Sequence, residues 1–286
     1  MKIIVTGAQG QLGTDLTAEL LKRDHQVTSL DVEQLDITDS GAVQAAFARI
    51  RPDVTIHCAA WTAVDAAEDN REQCFAVNAA GTENIARACK EQGSRMIYIS
   101  TDYVFDGQGE RPWEPDDPVT RPLNVYGASK YAGEQAVREL VKEHFIVRTA
   151  WVFGHGGGNF VKTMLGLADR YDRLTVVNDQ YGTPTYTPDL ARLLADMAES
   201  DRFGTYHATN EGGYISWYDF ACEIFAQAGK KVEVVPVTSE EYGAKAIRPR
   251  NSRLNRDKLR REGFEPLPDW RDALARYLKP ADREIS

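Results

Sequence analysis

The strongest constraint on this chain is its beginning, where a β-rich run, Lys2–Thr6, leads straight into Gly7-Ala8-Gln9-Gly10-Gln11-Leu12-Gly13 and then into a helical pattern. Glycine serves three needs in such a turn: tight reversal, close approach of the backbone to a pyrophosphate, and packing of the helix on the strand. The helix start adds unpaired N–H groups and the positive end of the helix dipole, both suited to phosphate. The spacing here is G-x-x-G-x-x-G rather than the usual G-x-G-x-x-G, so the glycines alone say little. Their context says more. A second β-rich run, Gln26–Leu30, ends at Asp31, close to the twenty-residue offset at which a ribose-binding acid is expected.

The first half of the chain keeps the same rhythm. Strands are predicted at Lys2–Thr6, Gln26–Leu30, Val54–Cys58, Arg95–Ser100 and Phe145–Thr149, and helices at Leu12–Arg23, Gly41–Ile50, Arg71–Gln92 and Ser129–Glu143. Strands apolar nearly throughout, each followed by a helix, require a parallel sheet covered on both faces. The fold class is therefore α/β, a Rossmann-type doubly wound parallel sheet. The rhythm breaks at Asp106-Gly107-Gln108-Gly109 and the prolines Pro112, Pro115, Pro118 and Pro122, which mark an irregular surface excursion beside the site. Beyond Trp151 the alternation weakens. The expected division is a dinucleotide-binding domain over 1–150 and a smaller, less regular, mainly substrate-binding domain over 151–286, with some segments returning to the first. The tail Pro280–Ser286 is expected to fray.

Composition narrows the setting. The chain of 286 residues is 42% hydrophobic and 27% charged, a balance suited to a folded core rather than disorder. A net charge of −9 argues against nucleic acid or an anionic membrane as a partner, while leaving room for a local basic pocket. The four cysteines, Cys58, Cys74, Cys89 and Cys222, form no C-x-x-C pair and read as reduced thiols. With no signal-like or membrane-length apolar run, the expected location is the cytoplasm.

The chemistry gathers at strand ends. A carboxylate at Asp31 would accept hydrogen bonds from the adenosine ribose and repel a 2′-phosphate, so NADH should be accepted. Asp36 and Ile37 are placed to meet the adenine, and Ala59-Ala60-Trp61 to lie along the cofactor, where small residues let the backbone approach. Tyr126 and Lys130 stand one helical turn apart on one face. They open a helix downstream of a strand that ends in Ser100-Thr101-Asp102, and strand C-terminal ends form the ligand crevice in such sheets. Free tyrosine, with a pKa of about 10, exchanges protons poorly at neutral pH, and a nearby ammonium stabilises its phenolate. Tyr126 would then deliver a proton as hydride reaches carbon, with Thr101 holding the reacting oxygen and Lys130 also holding the nicotinamide ribose.

The sequence resembles the extended short-chain dehydrogenase/reductases, and among them the dTDP-4-dehydrorhamnose reductases. The carrying segments span nearly the whole chain: Thr6–Gly13, Cys58–Asp65, Ser100–Gly107, Tyr126–Glu134, Arg148–Gly154, Asp179–Thr185 and Arg248–Leu254. The resemblance implies reduction of the C4 ketone of dTDP-4-dehydro-β-L-rhamnose to dTDP-L-rhamnose, with NADPH or NADH. It implies catalytic Thr101, Tyr126 and Lys130, and cofactor contacts from Gly7, Gly10, Gln11, Leu12, Gly13, Asp31, Asp36, Ile37, Ala59, Ala60 and Trp61. Thr101, Asp102 and Trp151 would contact the nucleotide sugar, with Asn159 and Arg248 assigned to the same side. The resemblance also allows a homodimer. Some relatives bridge dimers through magnesium, but here Asp15 stands near one corresponding place and Pro188 near another, so the metal is not carried over and magnesium stays open.

Other features weigh less. His155-Gly156-Gly157-Gly158 looks like an esterase oxyanion loop, yet no G-x-S-x-G elbow accompanies it, so it reads as a loop near the substrate. Arg248, Arg250 and Arg253 are either a solvated cluster or a grip on a nucleotide diphosphate. Trp217 and Tyr218 read as core, on a helix Ser216–Ala228 capped by Ser216. The main rival is an epimerase or dehydratase on the same scaffold. Dehydratases of this kind carry Asp-Glu after the threonine, whereas Asp102 is followed by Tyr103, which favours reduction. A rival of another class is a non-catalytic regulatory subunit of a methyltransfer-pathway synthetase.

Overall fold

The computed structural model describes residues 1–279, so the fraying expected of Pro280–Ser286 lies outside the described residues. Its centre is a six-stranded sheet made of β1 (Lys2–Thr6), β2 (Gln26–Leu30), β3 (Val54–His57), β4 (Arg95–Thr101), β5 (His144–Thr149) and β6 (Gly204–His207). All pairings are parallel, in the order β6-β5-β4-β3-β1-β2. The reason lies in the side chains. Ile3, Ile4 and Val5 are all fully buried, so β1 has no polar face to offer solvent and must be covered on both sides.

One layer of helices packs Leu12, Leu16 and Leu20 of α1 (Gln11–Lys22) with Leu190 and Leu194 of α8 (Thr187–Ala198) against Ile3 and Val5. The opposite layer sets Val43 and Phe47 of α2 (Ser40–Ile50) and Ile85 of α5 (Thr82–Gln92) against Ile4 and Tyr98. Both α8 and β6 come from the second half of the chain, where the alternation is too weak to predict them. A third cluster, around Phe153, Phe220 and Trp270, sits in that second half between α7 (Phe160–Ala168), α9 (Trp217–Ala228) and a closing helix, Trp270–Leu278.

Three expectations are corrected. The helix predicted over Arg71–Gln92 is α4 (Arg71–Phe75), a π-helical stretch Ala76–Gly81, and then α5, preceded by a short α3 (Val64–Asp69). The 3.6-residue stripe cannot reveal the wider π turn. The helix predicted from Ser129 is α6 (Val125–Leu140), which starts four residues earlier because Asn124 caps it, its Oδ1 accepting from Gly127 N at 2.8 Å. The proline-rich excursion does not line the site. Trp113 stacks on Phe105 with centroids 4.5 Å apart and exchanges backbone hydrogen bonds with Arg253 and Asn255.

A buried ion pair ties these parts together. Arg148 on β5 donates from Nε and Nη2 to the two Glu134 oxygens of α6 at 2.8 and 2.7 Å. Ser100 of β4 donates to the same carboxylate at 2.6 Å, and Arg148 Nη1 donates to the Pro115 carbonyl at 3.2 Å. Among the described residues, no helix is long and apolar enough to cross a membrane.

Candidate active site

The topology creates a crevice before any side chain is considered. From β1 the chain winds outward through α1 to β2, then crosses back to β3 on the other side of β1. The loops leaving β1 and β3 therefore diverge, and a cavity of about 840 Å³ opens there. At one end lie Gly7, Gly10, Gln11, Leu12 and Gly13. Gly7 has φ +65°, and a Cβ on it would fall 2.6 Å from Ala59 N. A Cβ on Gly13 would fall 2.2 Å from the Gly7 carbonyl oxygen, so α1 rests directly on the turn. Gly10 is the N-cap of α1 with no side-chain cap, and no acid stands in the first turn. A helix start leaves its first backbone N–H groups without intrahelical acceptors, which suits an anionic ligand.

Along the wall come Asp31, Asp36, Ile37, Ala59 and Ala60. Asp31 accepts from Gln9 N and Val32 N, both at 2.9 Å, so its carboxylate also fastens the glycine turn. Asp36 holds its own turn, its Oδ1 accepting from the Thr38 N and Oγ1 at 2.9 and 2.7 Å. A bare glycine turn, an uncapped helix start, an acid at the end of β2 and a wall of alanines together fit a dinucleotide.

At the far end, α6 brings Tyr126 and Lys130 to Thr101 and Asp102 at the end of β4, all four lining the same cavity. This needs Gly127, because a Cβ there would lie 2.1 Å from the Tyr103 carbonyl oxygen. Lys130 Nζ donates to the Ile99 carbonyl at 2.7 Å and sits 4.1 Å from the centroid of the Tyr98 ring. Burial lowers its pKa to about 7, against the pull of Glu134. Burial pushes the Tyr126 phenol up, with Thr101 acting the other way, so Tyr126 is a neutral phenol at neutral pH. Thr101 Oγ1 donates to Asp102 Oδ1 at 3.0 Å, while Asp102 Oδ2 is buried with no hydrogen-bond partner among the described residues. Burial raises the Asp102 carboxyl to about 6. Behind the wall, buried His57 bridges Thr6 and Thr82 at 2.6 and 3.1 Å, and burial holds it neutral with a pKa of about 3.

Trp151 closes the cavity with φ +51°, a strained value for a tryptophan. Its ring stacks on Trp217 with centroids 3.7 Å apart. Trp217 packs on the cluster around Phe220, as its reading as core implies, but it also lines the cavity, and Ser216 caps α9. No helical stripe announces such a residue, because its partner lies 66 positions back in the chain and meets it only through the fold. Tyr103, edge-on to Tyr126 at 5.5 Å, is a second lining residue beyond those expected.

Three expected contacts do not line the cavity. Trp61 donates from its backbone to Asn78 Oδ1 at 2.8 Å and accepts from Asn78 Nδ2 at 3.0 Å. Asn159 caps α7 and reaches Gln11. Arg248 makes a two-pronged ion pair with Asp65, at 3.1 and 2.7 Å. Its neighbours are likewise engaged, Arg250 with Asp179 and Arg253 with Asn251 and the Tyr181 ring. Asp15 accepts from Thr187, and among the described residues no group of three or more His, Cys, Asp or Glu is placed to hold a metal ion.

Comparison with known proteins gives the chain a family. The family described as RmlD substrate binding domain matches residues 1–283. A dTDP-4-dehydrorhamnose reductase of Streptomyces griseus is 46% identical over 95% of this chain and 91% of its own. The spore coat polysaccharide biosynthesis protein SpsK of Bacillus subtilis is 41% identical over 97% of both chains. The solved structure of dTDP-4-dehydrorhamnose reductase from Bacillus anthracis in complex with NADP superposes with a TM-score of 0.93 at 44% identity, covering 96% of this chain and 98% of that one. Matched along nearly its whole length, the chain belongs to the RmlD substrate binding domain family.

Proposed function

We propose that the protein reduces the C4 ketone of dTDP-4-dehydro-β-L-rhamnose to dTDP-L-rhamnose, with NADPH or NADH. One observation carries the reading: a single cavity runs from a bare glycine turn to Thr101, Tyr126 and Lys130. The relatives' names supply the substrate. The dinucleotide, held along Gly7–Gly13, Asp31, Asp36 and Ala59–Ala60, supplies the hydride when bound. In this reading residues 1–150 are the dinucleotide-binding domain, and 151–286 are mainly the substrate side, with segments such as α8 and β6 returning to pack on the first.

The chain's own residues then do three things. Thr101 orients the carbonyl oxygen through its hydroxyl. Tyr126, a neutral phenol because burial raises its pKa, hands that oxygen its proton as the alkoxide develops. Lys130, one turn further along α6, stabilises the phenolate left behind and holds the ribose. Asp102 and the Trp151–Trp217 stack border the space for the sugar. The test is oxidation of NADPH or NADH by the purified chain on addition of dTDP-4-dehydro-L-rhamnose, with dTDP-L-rhamnose as product. No turnover, together with tight binding to a protein partner, would replace the enzyme by the regulatory-subunit reading. Inversion at a sugar carbon with no net cofactor oxidation would replace it by an epimerase.

A further inference from the structure

The loop Gly154–Asn159 belongs to the second half of the chain, yet it is laid against the first residue of α1. A Cβ on Gly156 would sit 3.1 Å from Gln11 Cα, and one on Gly157, at φ +57°, 3.2 Å from Gln11 Cγ. The Gln11 side chain is held at both ends, its Nε2 donating to the Gly158 carbonyl and its Oε1 accepting from Asn159 Nδ2, each at 3.0 Å. Asn159 is itself fixed. Its Oδ1 accepts from Lys162 N at 3.0 Å as the α7 cap, and its Nδ2 also donates to the Gly154 carbonyl at 2.8 Å. Lys162 Nζ gathers the loop by donating to the carbonyls of His155 and Gly157 at 2.5 and 2.8 Å.

Gln11 and Gly158 both line the cavity, one in the glycine turn and the other at the end of the segment that begins with Trp151. We propose that Asn159 is a positioning residue, a clasp through which the Gly154–Gly158 loop holds Gln11 and couples dinucleotide binding to the order of the substrate-lining segment. This rests on the dinucleotide reading above and extends it. Asn159 thereby acts on the cofactor turn, 148 positions away in sequence, rather than on the sugar nucleotide. Coupling of this kind is reciprocal: a ligand that steadies the turn steadies the loop, and the reverse.

The test uses the full chain with NADPH and dTDP as separate titrants. Asn159→Ser keeps an oxygen for the α7 cap but cannot reach Gln11, and Gln11→Ala removes the other half of the clasp. Each should weaken NADPH about three- to tenfold, the worth of one or two hydrogen bonds. The double variant should be no weaker than the worse single one, since both remove one device. In the wild type, saturating NADPH should tighten dTDP binding, and Asn159→Ser should abolish that gain. Wild-type NADPH affinity in Asn159→Ser, with weakened dTDP, would overturn the clasp and make Asn159 a substrate contact. Additive losses in the double variant would overturn it as well. A wild-type chain that binds no NADPH would fail at the level of the proposed function itself.

Discussion

At the scale of single residues, environment decides what each titratable group can do. Tyr126 and Lys130 were legible as a pair because four positions on one helix face is a local property. Their electrostatics were not, because burial depends on what the whole fold places around them. Lys130 is buried over the Tyr98 ring with one of its N–H donors on the Ile99 carbonyl, and the Tyr126 phenol stays protonated. We expect Tyr126→Phe to lower kcat about 10²- to 10⁴-fold while cofactor binding, read by fluorescence titration, is largely kept. Near wild-type turnover would show that the proton comes from elsewhere. Asp31→Ala should shift the ratio of kcat/KM values toward NADPH relative to NADH. Because Asp31 also fastens Gln9, both cofactors should bind less tightly in absolute terms. Asp102 makes a prediction about pH. Its folded carboxyl titrates near 6, above the ordinary 3.8, so between those values the folded state keeps a proton that the unfolded chain has released. Its contribution to stability therefore falls as pH rises from about 4 to about 6. Asp102→Asn should flatten that part of the Tm-against-pH curve, and an unchanged slope would assign the effect to other groups.

At the scale of elements, the strands and most helices of the first half could be read from apolar runs and periodicity. The π-helical stretch Ala76–Gly81 could not, and it presents Asn78. This fully buried side chain bonds both backbone groups of Trp61 and donates to Ser129 Oγ at 3.0 Å, joining the loop after β3 to the helix that carries Tyr126 and Lys130. Asn78→Ala would leave several buried partners unsatisfied and should cost about 2–4 kcal/mol, measured by urea unfolding. Asn78→Asp keeps the acceptor for Trp61 N but turns a buried carboxylate oxygen toward the Trp61 carbonyl, so it should cost at least as much as Asn78→Ala, and a smaller loss would show that the amide donor is not the cause.

At the scale of the molecule, stability rests on links between distant segments. Glu134 and Arg148 are essentially inaccessible to solvent, and they join β5, α6, β4 and the proline-rich excursion. Glu134→Gln would leave the arginine charge buried without its counter-charge, at a cost of about 3–5 kcal/mol in denaturant unfolding. The double change Glu134→Met with Arg148→Met should be less destabilising than that single one, because no charge is then left alone. Equal or greater loss in the double variant would show that the pair acts mainly through packing.

Local signals were enough to read the α/β class and the glycine turn, and to single out Asp31, Thr101, Tyr126 and Lys130, which the fold brings to one cavity, because each depends on neighbours within a turn or at a strand end. The tertiary structure alone decided the rest. It engaged Arg248 with Asp65, turned Trp217 toward Trp151, and set Asn159 on Gln11 instead of in the cavity. These are contacts between segments far apart in the chain. No periodicity within a segment records which distant side chain will satisfy its hydrogen bonds or share its burial.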